Sequence, residues 1–108
     1  MTEFHADDYG LFPTQTGRIL DCYEKGALNG VSLMPNSPFL AECLDMLPEK
    51  GIALTVHLNL MEGRAVAPKE ELPHLVDGEG VFRVSFASLL FCRLSGHYRE
   101  SFRELKRE

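Results

Sequence analysis

The sequence predicts an α/β fold in which parallel strands alternate with helices. Three observations predict it. Short apolar runs, strand-like in length, cover Glu3–Ala6, Val31–Met34 and Ile52–Val56. The stretches between them carry apolar residues at helical spacing. The connections are short and marked by Pro, Gly, Asn and Ser. Strands that alternate with helical patterns imply βαβ units and hence a parallel sheet.

Taken in order, the first strand runs from about Glu3 to Ala6 and ends in Asp7 and Asp8. Pro13 marks a turn, and Thr14 or Thr16 is the expected N-cap of a helix striped by Ile19, Leu20, Cys22 and Tyr23. Gly26 and Asn29-Gly30 are its stop and turn signals. Val31–Met34 is the second strand. Ser37 is placed to cap a second helix with Pro38 at its first position, carrying Phe39, Leu40, Cys43, Leu44 and Leu47. Pro48 and Gly51 close it, and Ile52–Val56 leads to His57. Beyond Gly63 the pattern changes. Residues 64–73 read as a polar loop, and 76–82 as a tight turn between two extended pieces. Ser85 caps an apolar helix to Leu94, and a charged helix follows from Ser95 or Gly96 through Arg107.

The 108 residues suit one domain with a modest core. Net charge is −5, with acids and bases mixed and no basic patch with interleaved aromatics, so nucleic acid is not an expected partner. No apolar run is long enough for a bilayer and no leader pattern opens the chain, so neither a membrane nor a secretory route is expected; the default is cytoplasmic. Cys22, Cys43 and Cys92 lie far apart, which predicts three reduced thiols, mostly in core positions.

In parallel α/β folds, sites form beyond the carboxyl ends of the strands. All three strands deliver polar residues there: Asp7 and Asp8, then Asn36 and Ser37, then His57 and Asn59. Adjacent carboxylates after a buried strand are costly unless compensated, and a metal ion compensates. Asp8 and His57 are the natural ligand pair for Mg²⁺, Mn²⁺ or Zn²⁺. Asp7 is then free to act as general base on a water that the ion acidifies. Taken alone, His57 reads as a satisfied histidine at a strand end; beside an Asp-Asp pair on a neighbouring strand, the ligand reading leads. Asn36 and Asn59 are candidate substrate contacts, although turn and cap roles explain them almost as well. His5 is expected at the core or strand edge, His74 in solvent, and His97 exposed or capping at the start of the last helix. Tyr9 and Met34 are expected to pack.

Two other classes compete. A phosphoacceptor receiver domain also places two acids after its first strand and binds Mg²⁺. However, it needs an Asp where this chain has His57, and a Lys after a fifth strand that is not visible. A non-catalytic interaction module is the third possibility.

Phe4-His5-Ala6-Asp7-Asp8-Tyr9-Gly10-Leu11 resembles the Ala-Asp-Asp-Phe/Tyr-Gly signature of the YdjC-like family of carbohydrate deacetylases. Val31-Ser32-Leu33-Met34-Pro35-Asn36 is similar to the family's second-strand segment. Val56-His57-Leu58-Asn59-Leu60, with Glu62-Gly63, resembles its His-Leu-Asn-Leu-Thr-x-Gly segment, and residues 75–82 its following turn. The resemblance implies the first half of a (β/α) barrel-like deacetylase fold spanning residues 1–108 as one truncated domain. It implies a metal held by Asp-His-His and removal of N-acetyl groups from amino sugars such as chitooligosaccharides. On this sequence Asp7 matches the proposed general base, and Asp8 and His57 match two metal ligands. Three positions depart from the pattern: Thr16 where Asn is common, Thr55 where Gly often stands, and Met61 for the usual Thr.

Family members are about twice this length, as barrel domains are, and their third ligand lies in a later His-rich segment. The expectation is therefore an N-terminal fragment that holds Mg²⁺ or Zn²⁺ weakly and is inactive alone. Half a barrel leaves a sheet edge and helix faces uncovered, so a homo-oligomer, as a symmetric dimer, is expected.

Overall fold

β1 (His5–Tyr9), β2 (Gly30–Leu33) and β3 (Ala53–Val56) form one parallel sheet in the order β1-β2-β3. The computed structural model describes residues 2–96 and 98–108, with the backbone alone at Tyr98. It divides into two compact units, one ending at Leu58 and the other running Asn59–Glu108.

In the first unit, α1 (Pro13–Glu24) links β1 to β2, and α2 (Leu40–Leu44) links β2 to β3. Each strand lies beside its predecessor, as in a sheet winding steadily in one direction. A flavodoxin-like sheet, the scheme of receiver domains, places β1 between β2 and β3; the observed order departs from it.

Tyr9, Ile19, Val31 and Cys43 form the buried core of this unit, with Ala6, Leu20, Leu28, Leu33, Leu47 and Ile52 packed around it. Val31 and Leu33 therefore turn toward the helices. The opposite face of the sheet is polar: Ser32 Oγ and Thr55 Oγ1 lie 2.9 Å apart across the β2–β3 pair. His5 stands over Gly30 on that same face, and a methyl group at residue 30 would overlap its ring. On β3 the helix-side face stands open, with Leu54 51% and Val56 60% exposed.

Several boundaries differ from the sequence reading, each for a physical reason. β1 begins two residues late and extends through Tyr9, because the Tyr9 carbonyl accepts from the Met34 amide at 2.9 Å and keeps the chain in the ladder. Pro13 is the first residue of α1, and Thr16 lies inside the helix, fully buried, so neither Thr14 nor Thr16 is the N-cap. The helix ends as expected at Gly26, whose φ is +72°. The Ala27 and Gly26 amides donate back to the Cys22 and Tyr23 carbonyls, both at 2.9 Å, closing a Schellman turn. α2 is shorter than its apolar stripe suggests. After Leu44 the bonds tighten to i→i+3 (Met46 to Cys43, Leu47 to Leu44), which uses up the last carbonyls. Of the cysteines only Cys43 is a core residue; Cys22 is exposed and Cys92 half-buried, all three as free thiols.

The second unit is built on Leu72, Leu75, Val76 and Phe82. The antiparallel bridge Val76–Phe82 closes the expected turn, a second joins Arg64 of the polar loop to Val81, and Lys69–Glu71 forms a 3₁₀ turn. α3 (Phe86–Ser95) carries the expected Ser85 cap as a capping box with Ser88, and ends at Gly96 in the left-handed region. α4 (Tyr98–Arg107) is tied to the polar loop by carboxylates. Glu108 accepts from the Val66 and Ala67 amides, both at 2.8 Å, and Glu104 accepts from the His74 amide at 2.9 Å. No described helix is long and apolar enough to cross a membrane.

Candidate active site at the strand ends

The site starts from a bulge in β1. Ala6 pairs with Val31 and Tyr9 with Leu33, so the β1 side of the ladder holds one residue more than the β2 side. Asp7 and Asp8 occupy the bulge. Asp8 has φ +61°, the one left-handed non-glycine residue among those described. Asp is among the residue types that tolerate this region, and in exchange its carboxylate is re-aimed.

His57 arrives from β3. Its amide donates to the Leu33 carbonyl at 2.8 Å, which continues the ladder one residue past the strand and fixes the base of the side chain. β1 and β3 flank β2 and are not neighbours, contrary to the sequence reading. The carboxylates and the imidazole therefore reach toward each other across the end of β2.

His57 Nε2 lies 3.7 Å from Asp8 Oδ1, and His57 Nδ1 lies 3.8 Å from Asp7 Oδ1. Both separations exceed a direct hydrogen bond. Nitrogen and oxygen ligands about 2.0–2.2 Å from one tetrahedral ion stand roughly 3.4 Å apart, so the Asp8–His57 pair has close to the spacing of two ligands sharing an ion. Asp7 addresses the other ring nitrogen, so the three side chains do not converge on one point. Among the described residues no group of three or more His, Cys, Asp or Glu side chains is placed to hold a metal. Asp8 and His57, 38% and 35% exposed, are half-sheltered, whereas Asp7 at 67% is open to water. The residues present thus fit two ligands of a divalent ion, with the Asp7 carboxylate beside them.

The remaining candidates fall elsewhere. Asn36 sits half-buried in the turn after β2. The Asn59 side chain is engaged in its own turn: Oδ1 accepts from the Met61 amide at 3.1 Å, and Nδ2 donates to the Glu62 carbonyl at 2.9 Å. His5 pairs with Glu3 at 3.1 Å. His74 is not simply solvated, since its Nδ1 pairs with the buried Glu104 carboxylate. His97 lies outside the described residues.

Sequence reasoning expected Tyr9 to pack but missed the hydrogen bonds that hold the bulge. Tyr9 is fully buried and donates its hydroxyl to the Cys43 carbonyl at 2.9 Å. Burial, and then the nearby Cys43, pushes its phenol up to about 12. Thr16 Oγ1 accepts the Gly10 amide at 3.1 Å, and Ser37 Oγ donates to the Gly10 carbonyl at 2.6 Å. The available signal was Gly10 itself, two residues past Asp8, because glycine is the default where the chain takes a positive φ.

Residues 3–108 match the family described as YdjC-like protein. The chain belongs to the YdjC-like family. Relatives named carbohydrate deacetylase are found in Listeria monocytogenes serotype 4b, 33% identical over 87 residues (80% of this chain, 35% of the relative), and in Thermoanaerobacter pseudethanolicus, 32% identical over 85 residues (76% and 33%). Another, from Enterococcus faecalis V583, is 30% identical over 82 residues, covering 72% of this chain and 31% of the relative. The chain thus spans about a third of the length of the curated relatives it matches. A crystal structure of a putative cellobiose-phosphate cleavage protein from Enterococcus faecalis V583 superposes with a TM-score of 0.66 at 23% identity. The match covers 93% of this chain and 42% of that one, and supports the α/β YdjC-like fold.

Proposed function

We propose that this YdjC-like chain supplies part of a metal-dependent carbohydrate deacetylase site acting on N-acetylated amino sugars such as chitooligosaccharides. The observation that carries the proposal is the 3.7 Å approach of Asp8 Oδ1 to His57 Nε2, with Asp7 beside it, at the carboxyl ends of a parallel sheet. The relatives' name, carbohydrate deacetylase, supports an acetylated carbohydrate as substrate; the amino-sugar class is what the motif resemblance implies.

Asp8 and His57 are the residues that would hold the ion. A divalent cation there supplies positive charge that acidifies a water and polarises an amide carbonyl. Asp7 accepts the proton that the water loses as its oxygen attacks the acetamide carbon. The C–N bond of the tetrahedral intermediate then breaks, the proton passes from Asp7 to the departing nitrogen, and acetate and the amine are released. Two protein ligands fall short of the three plus water of a catalytic zinc site. We therefore place the third ligand outside the described residues, and expect weak metal binding and little deacetylase activity from this chain by itself.

The test is a chimera in which this chain replaces the corresponding N-terminal third of the Enterococcus faecalis carbohydrate deacetylase. With Mg²⁺ or Zn²⁺ it should release acetate from an N-acetylated chitooligosaccharide, and Asp7→Asn should abolish that release. A folded chimera that releases none, or full activity in Asp7→Asn, overturns the proposal.

A further inference from the structure

We propose that Thr16 and Ser37 are positioning residues that hold the Asp8 carboxylate in place through the backbone of Gly10. The inference rests on Asp8 being a site residue, as proposed above, and names what keeps it there.

A left-handed Asp relaxes toward extended backbone unless the chain is fixed on both sides of it. Before Asp8, Ala6 is fixed by its pairing with Val31. After it, the Tyr9 carbonyl accepts from the Met34 amide, and the Leu11 amide donates back to the Asp8 carbonyl at 3.1 Å. That leaves the buried Gly10, which itself has φ +89° and lies so close to Leu40 that a Cβ would approach Leu40 Cδ1 to 2.8 Å.

Both polar groups of Gly10 are taken by hydroxyls, from two different elements. Its amide donates to Thr16 of α1, and its carbonyl accepts from Ser37 of the β2–α2 connection. Thr16 caps no helix start, and Ser37 makes a cap-like bond to Phe39 but lies three residues before α2, whose N-cap is Phe39 and not Ser37. The Thr16 amide already donates to the Phe12 carbonyl at 2.9 Å, and the Thr16 hydroxyl passes its own proton to Cys43 Sγ at 3.4 Å, leaving its lone pairs to Gly10. Ser37 Oγ accepts from the Phe39 amide at 3.1 Å and spends its proton on Gly10. The two hydroxyls thus clamp one peptide segment two residues beyond the site carboxylate. A clamp there sets the direction in which the chain leaves the bulge, and therefore the backbone angles at Asp8.

The experiment uses the ¹⁵N,¹³C-labelled chain and the variants Thr16→Val, Ser37→Ala, Thr16→Ser and, as a control, Ser85→Ala, which removes a cap in α3. The first readout needs no metal: the amide–α-proton coupling and the Cα chemical shift of Asp8. The second is the affinity for Mn²⁺, read from line broadening at the strand ends. Thr16→Val and Ser37→Ala should each move Asp8 toward extended values and weaken Mn²⁺ about tenfold, at the low end of what removing an outer-shell partner costs. Thr16→Ser should behave as wild type, and Ser85→Ala should lose stability without moving Asp8. If Asp8 keeps its coupling and chemical shift in both Thr16→Val and Ser37→Ala, the proposal is overturned and the hydroxyls only stabilise the fold. Should Thr16→Val fail to fold, Ser37→Ala against Ser85→Ala decides it. Wild-type chain that does not bind Mn²⁺ at the strand ends refutes the metal reading alone; the Asp8 coupling still decides the clamp.

Discussion

Tyr9→Phe should lower stability near neutral pH and raise it in strong alkali. The hydroxyl is fully buried and donates to the Cys43 carbonyl at 2.9 Å. Its loss removes one net hydrogen bond, about 1 kcal/mol. The cost stays near that figure because the Cys43 carbonyl keeps the Met46 amide at 3.2 Å and is not orphaned. In alkali the balance changes. The phenol is raised from 10.0 to about 12 in the folded chain. A raised acid is protonated in both states below its unfolded pKa, so its contribution is complete there. Between pH 10 and about 12 the unfolded chain releases the proton first, and stability falls with pH. A rise of that size corresponds to roughly 2–3 kcal/mol lost across the window, and the phenylalanine variant has no proton to lose. The two stability curves should therefore cross at about pH 11. Urea unfolding followed by circular dichroism at steps from about pH 8 to 12 measures this. Curves that run parallel throughout would refute the linkage argument. A loss above about 3 kcal/mol near neutral pH would show that the Cys43 carbonyl is left unsatisfied after all.

Other substitutions test the same framework. Gly30→Ala should cost about 1–3 kcal/mol by forcing the His5 ring aside; in the double variant His5→Ala/Gly30→Ala most of that should return, which a double-mutant cycle in urea would measure. Ser101→Ala should leave stability unchanged or raise it by up to about 1 kcal/mol, because its buried hydroxyl has no hydrogen-bond partner among the described residues; a fall in the melting midpoint would contradict this. The Asp77 carboxyl is held below the usual range by the Val81 and Glu79 amides, then by Arg83 and Arg64. A lowered acid stabilises above its unfolded pKa and loses that contribution as pH falls through its folded pKa, so Asp77→Asn should flatten the acid limb of a pH titration of stability.

The alternation of strand and helix was legible because Val31, Ile52 and Val56 sit in short apolar runs, while Ile19, Leu20 and Tyr23 repeat at helical spacing. The Ser85 cap was legible for the same local reason. Asp7, Asp8 and His57 could be named because residues at the carboxyl ends of parallel strands share one rim. What was not legible depends on which partner each polar group takes, whether near or far along the chain. The helix-start pattern does not report that the Thr16 hydroxyl serves the Gly10 amide six residues earlier, although Gly10 was itself a signal. The partnership of His74 with Glu104 joins residues thirty positions apart. The early end of α2 reflects tightened bonds after Leu44, which an apolar stripe does not report.

The central claim, that Asp8 and His57 share one divalent ion across the end of β2, is tested most directly by titrating the ¹⁵N-labelled chain with Mn²⁺. Binding should be weak, and broadening should centre on the amides of Asp8, Met34 and His57. It should disappear there in both Asp8→Asn and His57→Ala. Broadening that spreads over other acidic surfaces, or persists at the strand ends in either variant, would contradict the claim.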